Sequence, residues 1–167
     1  MSKTYIGIDI GKSGAIAVIY PDGNIRTMKM PLINTELDYP DLYSIISQCS
    51  LMGAHIVFEK LGVIFGSAKH TAFSMGFQSG AVEMACVASK VPYTKVRALD
   101  WQKQMFQGVQ EITKTGSTKK DTKAMALVAI KRIFPDLKLT FGDRASKAHD
   151  GLVDAVLMAE YARRNNL

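Results

Sequence analysis

The sequence predicts a single-domain α/β protein over residues 1–167, with five strand segments and a series of helices. Three observations predict it. The first thirty residues are short β-branched runs separated by glycine-bearing turns, the pattern of an antiparallel meander. Two later apolar runs of strand length, Ala54–Glu59 and Tyr93–Ala98, alternate with stretches of helical periodicity. The last fifty residues carry helical periodicity only.

Within Tyr5–Ile10, alternation sends Ile6, Ile8 and Ile10 to one face and Gly7 and Asp9 to the other. A carboxylate in an apolar strand is costly to bury unless it is paired or bound to a metal. Gly7, Gly11 and Gly14 leave room beside it. Asp9 can therefore cap a turn at an edge strand or seed a metal or phosphate site. The second strand covers Ala15–Tyr20, and Pro21-Asp22-Gly23-Asn24 turns the chain into a third, Ile25–Met30. Residues 31–40 read as a loop. Asp41–Leu51 reads as a short helix with Leu42, Ile45 and Ile46 inward. The fourth strand ends on Glu59, which places a carboxylate at the rim of the sheet, where ligands gather.

Lys60–Lys69 reads as a loop whose Val63, Ile64 and Phe65 are either tucked into the core or held out as a wedge for stacked bases. A long helix follows, His70–Ser89, with Phe73, Phe77, Gly80, Met84 and Val87 on one stripe. Gly76 and Gly80 make a smooth groove for packing, inside the monomer or across a dimer. After the fifth strand, Asp100 is a plausible cap for a short helix containing Trp101 and Lys103. Ser117 or Thr118 is the expected cap of a helix reaching Phe134. On that reading Lys119, Lys120 and Lys123 crowd its first turn against the macrodipole, a local cost that asks for a role. The final helix is expected over Ala148–Arg164, with Arg144 and Lys147 in the loop before it.

The net charge is +6, and residues 103–147 hold ten basic and four acidic side chains, the whole of that excess. A basic field of this kind suits a polyanion, most simply nucleic acid, or else a solvated helix surface. No apolar run approaches the ~20 residues that span a bilayer. The absence of a secretory-signal layout at the N-terminus predicts a cytoplasmic location. Cys49 and Cys86 are expected to be reduced, buried and structural, and neither they nor His55, His70 and His149 have zinc-ligand spacing.

Asp150 and Asp154 are four apart in the final helix and project from one face. Dipole complementation explains Asp150 but explains Asp154 poorly. Taken with Asp9 and Glu59 they form a set of four acids. Four converging carboxylates cannot all ionise cheaply, so some pKa values should rise without metal. Mg²⁺ favours such oxygen ligands, and two ions about 4 Å apart would activate a water and stabilise a leaving 3′ oxygen. The sequence does not decide between Mg²⁺ and Mn²⁺. His149 adjoins the set, as a water-orienting group or as a structural or phosphate contact.

The ordered motifs Gly7-Ile8-Asp9-Ile10-Gly11, Val57-Phe58-Glu59, Gly76-Phe77-Gln78-Ser79-Gly80, Val91-Pro92-Tyr93 with Trp101 following, and Asp150-Gly151-Leu152-Val153-Asp154-Ala155 span nearly the whole chain. In this set the sequence resembles the RuvC family of Holliday junction resolvases in the RNase H-like superfamily, particularly its phage-borne members. The resemblance implies an RNase H-like mixed five-stranded sheet flanked by helices, a homodimer, and divalent-metal nicking of four-way DNA junctions. By position it makes Asp9, Glu59, Asp150 and Asp154 the metal-binding acids. It sets Lys103 and Lys120 against the cleaved strand, with Lys123 one turn further on. Some members space the last two acids by three, and here the spacing is four. The aromatic that often closely follows the glutamate is absent at that distance, which leaves Phe65, or Val63 and Ile64, as the expected junction wedge. Rival readings are an actin–hexokinase-type ATPase, which needs two such domains, another RNase H-like nuclease acting on hybrids or ends, and a non-catalytic junction binder.

Overall fold

The computed structural model describes residues 3–62, 69–142 and 144–167. Strands β1 (Tyr5–Asp9), β2 (Ala15–Ile19) and β3 (Ile25–Lys29) form the expected antiparallel meander. Helix α1 (Tyr39–Leu51) leads to β6 (His55–Glu59), and α2 (Lys69–Ala88) leads to β7 (Tyr93–Val96). Both of these strands run parallel to β1, so the sheet is mixed, in the order β3-β2-β1-β6-β7. Helices α3 (Ala98–Met105), α4 (Thr122–Ile133) and α5 (Asp150–Arg164) complete the chain. This is the RNase H-like five-stranded architecture.

Strand alternation explains the layering. Ile6, Ile8, Ile16, Val18, Ile56 and Phe58 face one way, into a core with α1 and α2. Tyr5, Ala15, Ala17 and Val57 face the other, into a core with α3, α4 and α5. Helix α5 is central to the second core, with Leu152, Ala155, Val156, Leu157, Met158, Ala159 and Ala162 fully buried. Its backbone lies directly on β1 at Gly7, where a Cβ would collide with the carbonyl of Ala155 and stand 2.7 Å from the amide of Ala159. The face of β1 that the sequence leaves bare around Asp9 is the seat of this helix.

Local details depart from the sequence reading in four places. The segment 31–40 holds a small hairpin, β4 (Leu32–Ile33) with β5 (Glu36–Leu37), too short to show a period. Helix α1 starts earlier than expected, with Asp38 accepting from the amide of Asp41 and Pro40 in the first turn. Asp100 does not cap α3; it sits in the first turn and takes two hydrogen bonds from Arg97. The cap of α4 is Asp121, which accepts from the amide of Ala124. Residues 112–121 are instead drawn into a hairpin-like arm by a bridge between Thr113 and Lys120. Lys119 and Lys120 therefore lie outside the helix and do not oppose its dipole. Only Lys123 does.

Cys49 and Cys86 are free and buried, and burial pushes their thiols up to about 11 and about 12. Val63, Ile64 and Phe65 lie outside the described residues. Among the described residues no helix is long and apolar enough to cross a membrane.

The contact at Gly7 yields a direct test. Gly7→Ala places a methyl group against helix backbone, which cannot rotate away as a side chain can. We expect a loss of about 3 kcal/mol or more in urea unfolding, at the upper end of overpacking effects. Ala17→Gly, on the neighbouring strand, should cost far less.

Candidate active site

Four carboxylates reach the same end of the sheet from three separate segments. Asp9 closes β1 and Glu59 closes β6. These strands are parallel neighbours with Ile8 beside Phe58, so the next residue on each emerges at the same edge. Asp150 and Asp154 occupy the first two turns of α5. The start of that helix is fixed by His149, whose Nδ1 accepts from the amide of Leu152. His149 thus has a structural role, with its ring in T-shaped contact with Phe141. At Gly151 the helix meets the strand turn so closely that a Cβ would stand 2.7 Å from Oδ2 of Asp9. A glycine here lets α5 bring its acids up to Asp9.

These groups lie close enough to act on one another electrostatically. Burial pushes Asp9 up to about 8, with further increments from Asp154, Glu59 and Asp150 against a lowering by Lys123. Burial likewise raises Asp154 to about 7, helped by Glu59 and Asp150 and opposed by Lys123. Two protein donors engage the other acids. Trp101 Nε1 donates to Oε1 of Glu59 at 2.9 Å, and Lys123 Nζ donates to Oδ2 of Asp150 at 2.7 Å. Asp150 in turn holds the Lys123 ammonium above its ordinary range.

Carboxylate oxygens are the hard donors that Mg²⁺ or Mn²⁺ takes, so these four acids suit such an ion by chemistry and by charge. Among the described residues, no group of three or more His, Cys, Asp or Glu side chains is arranged to hold a metal ion. Glu59 and Asp150 have protein partners instead. A divalent ion would relieve the repulsion that raises Asp9 and Asp154.

The basic residues fall into two groups. Lys123 and Lys147 border the acids: a cleft of about 340 Å³ lined by Lys123, Leu127, Lys147, Asp150, Val153 and Asp154 lies along α5. Lys103 is exposed in the last turn of α3, Arg144 is exposed before α5, and Lys119 lies on the arm. Lys120, also on the arm, is paired with Glu111 at 2.6 Å. Trp101 was legible as a motif residue but not as the partner of Glu59. The available signal was that a fully buried tryptophan needs an acceptor for its N–H.

No family model and no curated protein matches the chain. Solved structures do. Thermus thermophilus RuvC is similar over 98% of this chain and 96% of its own, with a TM-score of 0.56 and 17% identity. T. thermophilus RuvC in complex with a Holliday junction substrate is similar over 97% and 96%, with a TM-score of 0.57 and 13% identity. At these identities the likeness establishes a RuvC-like fold.

The raised carboxyls predict a pH dependence. Asp9 and Asp154 bind protons more tightly folded than unfolded, so stability falls as pH rises from about 4, the ordinary aspartate value, through their folded values near 8 and 7. In EDTA, chemical unfolding should show lower stability at pH 8.5 than at pH 5.5. Mg²⁺ should offset the loss, and Asp154→Asn should flatten the slope. A metal-free protein equally stable at both pH values would mean that these carboxyls titrate normally.

Proposed function

We propose that this protein is a divalent-metal-dependent endonuclease that nicks four-way DNA junctions as a homodimer. The observation that carries the reading is the meeting of Asp9, Glu59, Asp150 and Asp154 at one sheet edge, two of them pushed far up by burial and by one another. A fold like that of a protein solved on a Holliday junction substrate supports it.

Asp9, Glu59, Asp150 and Asp154 would hold the metal, Mg²⁺ or Mn²⁺, as two ions per site. Bound there, such ions lower the pKa of water and stabilise the leaving 3′ oxygen in an in-line displacement. The chain's own part is placement. The buried setting of Asp9 and Asp154 keeps competing water from these oxygens, which would strengthen their attraction for a cation. Trp101 fixes the orientation of Glu59 through one oxygen and leaves the other free for a ligand. Lys123 and Lys147 offset the negative charge that would otherwise turn a phosphodiester away. Lys103, Lys119, Lys120 and Arg144 extend the basic surface along the duplex arms.

Two cuts in strands of like polarity call for two sites related by a two-fold axis. Helix α2 offers the surface for this. Its Gln78, Val82, Ala85 and Cys86 are buried, while Phe73 (74% exposed), Phe77 (56%), Met84 (61%) and Val87 (53%) face outward. A groove lined by Tyr39, Phe73, Gly76, Phe77 and Gly80 runs through this patch. Large outward apolar residues in one contiguous patch mark an interaction surface.

Two experiments test the reading. Asp9→Asn, Glu59→Gln and Asp154→Asn should each abolish nicking of a labelled four-way junction in Mg²⁺, with binding retained or tightened as phosphate repulsion falls. Strong residual cleavage by Asp154→Asn would remove that residue from the site. The wild type should be a dimer by light scattering, and Gly80→Leu should shift it toward monomer. Among the described residues a Cβ at Gly80 meets no atom within 4 Å, so this change leaves the monomer's own packing alone. A monomeric wild type making unpaired cuts would indicate a simpler RNase H-like nuclease.

A further inference from the structure

We propose that the cleft beside the N-terminus of α5 is a nucleobase subsite, in which Phe141 stacks on a base flanking the scissile phosphate. This rests on the endonuclease reading above and adds to it a site for one nucleotide of the substrate.

The cleft, about 340 Å³, is lined by Ser13, Lys29, Phe141, Lys147, His149 and Asp150. It shares Lys147 and Asp150 with the cleft along α5, so the two lie on either side of the same acid. Phe141 is half-buried, its inner part packed against the core under α5. The His149 and Phe141 rings meet in a T-shaped contact, 4.9 Å between centroids and 75° between planes. His149 cannot swing freely, because its Nδ1 caps the helix at Leu152. The aromatic ring is thereby held in register with the helix whose first residue is Asp150.

Lys29 Nζ lies 5.7 Å from the centroid of the Phe141 ring, within range of a cation–π contact. Lys29 is itself exposed at the end of β3, and its four-carbon stem lets the ammonium leave the ring for a phosphate. With Lys147 also lining it, the cleft combines an aromatic platform with two cations. Single-stranded nucleic acid is bound by this combination, stacking for the base and charge for the backbone. Neighbouring nucleotides are about 3.4 Å apart along a stacked strand. A strand with one phosphate at the acids therefore delivers an adjacent base to a cleft that shares Asp150 with them.

The test is a double-mutant cycle between protein and DNA. Affinity for a four-way junction is measured in EDTA, with single abasic nucleotides scanned across three positions on each side of the nick sites. For the wild type, one flanking abasic position should weaken binding by about 5- to 150-fold, the range of one base–aromatic stack. Phe141→Leu, which keeps an apolar group toward the core, should bind the intact junction more weakly by a similar factor and lose sensitivity to that position. Phe141→Trp should retain the sensitivity, and it carries the test if the leucine variant folds poorly. A flat scan for the wild type, equal sensitivity in Phe141→Leu, or its loss in Phe141→Trp would overturn the subsite. If the wild type nicks the junction in paired fashion and the scan is flat, only the subsite falls. If it neither binds nor nicks four-way junctions, the endonuclease reading falls and the subsite with it.

Discussion

The structure depends on how closely α5 lies on β1. Gly7 removes the side chain that would hold the helix off the strand, and Gly151 removes the one that would push its first turn away from Asp9. Between these two contacts the helix buries nearly every residue of its inner face. Core packing tolerates little displacement. The burial that stabilises the fold therefore also sets the separation between Asp9 and the two aspartates of the helix. Glu59 is positioned independently, by the parallel register of β6 with β1. Scaffold and candidate site are one packing solution.

That solution concentrates negative charge where solvation is poor, and the protein moderates it in several ways. Asp9 and Asp154 respond by holding their protons to higher pH. Asp150 is met by Lys123 across the gap between α4 and α5, and Glu59 by the indole of Trp101. The ion pair is largely exposed, so its contribution to stability is small. Its value is local: it sets an ammonium where a cation is favoured. At the other end of α5, Glu160 is fully buried yet takes hydrogen bonds from Arg163 and Arg164. That acid is satisfied within its own helix, unlike the cluster at the N-terminal end.

The outer surfaces differ in chemistry. Helix α2 turns its aromatic stripe away from the sheet because its smaller face, Val82, Ala85 and Cys86, is the one that fits against the strands. The basic residues spread over the arm, α3, α4 and the approach to α5. The arm pairs Lys120 with Glu111 and so holds part of its own charge in check. Around Asp150 the cations Lys29 and Lys147 and the half-buried Phe141 line one cleft.

Much of this could be read from sequence because the signals were local. Turn residues and β-branched runs delimit the meander, since backbone preference and alternation act over a few positions. Asp9, Glu59 and Asp154 stood out because each is a carboxylate where local preference favours an apolar or neutral residue. Tertiary structure decided the rest. Ser117, Thr118 and Asp121 are all suitable caps, and only the Thr113–Lys120 bridge selects the last of them. The stripe of α2 has helical period, but period cannot say which face meets the sheet. Trp101 with Glu59, Lys123 with Asp150 and Lys29 over Phe141 are pairs separated by tens of residues or more. Residue type shows what such side chains can do, and only the folded chain decides which of them meet.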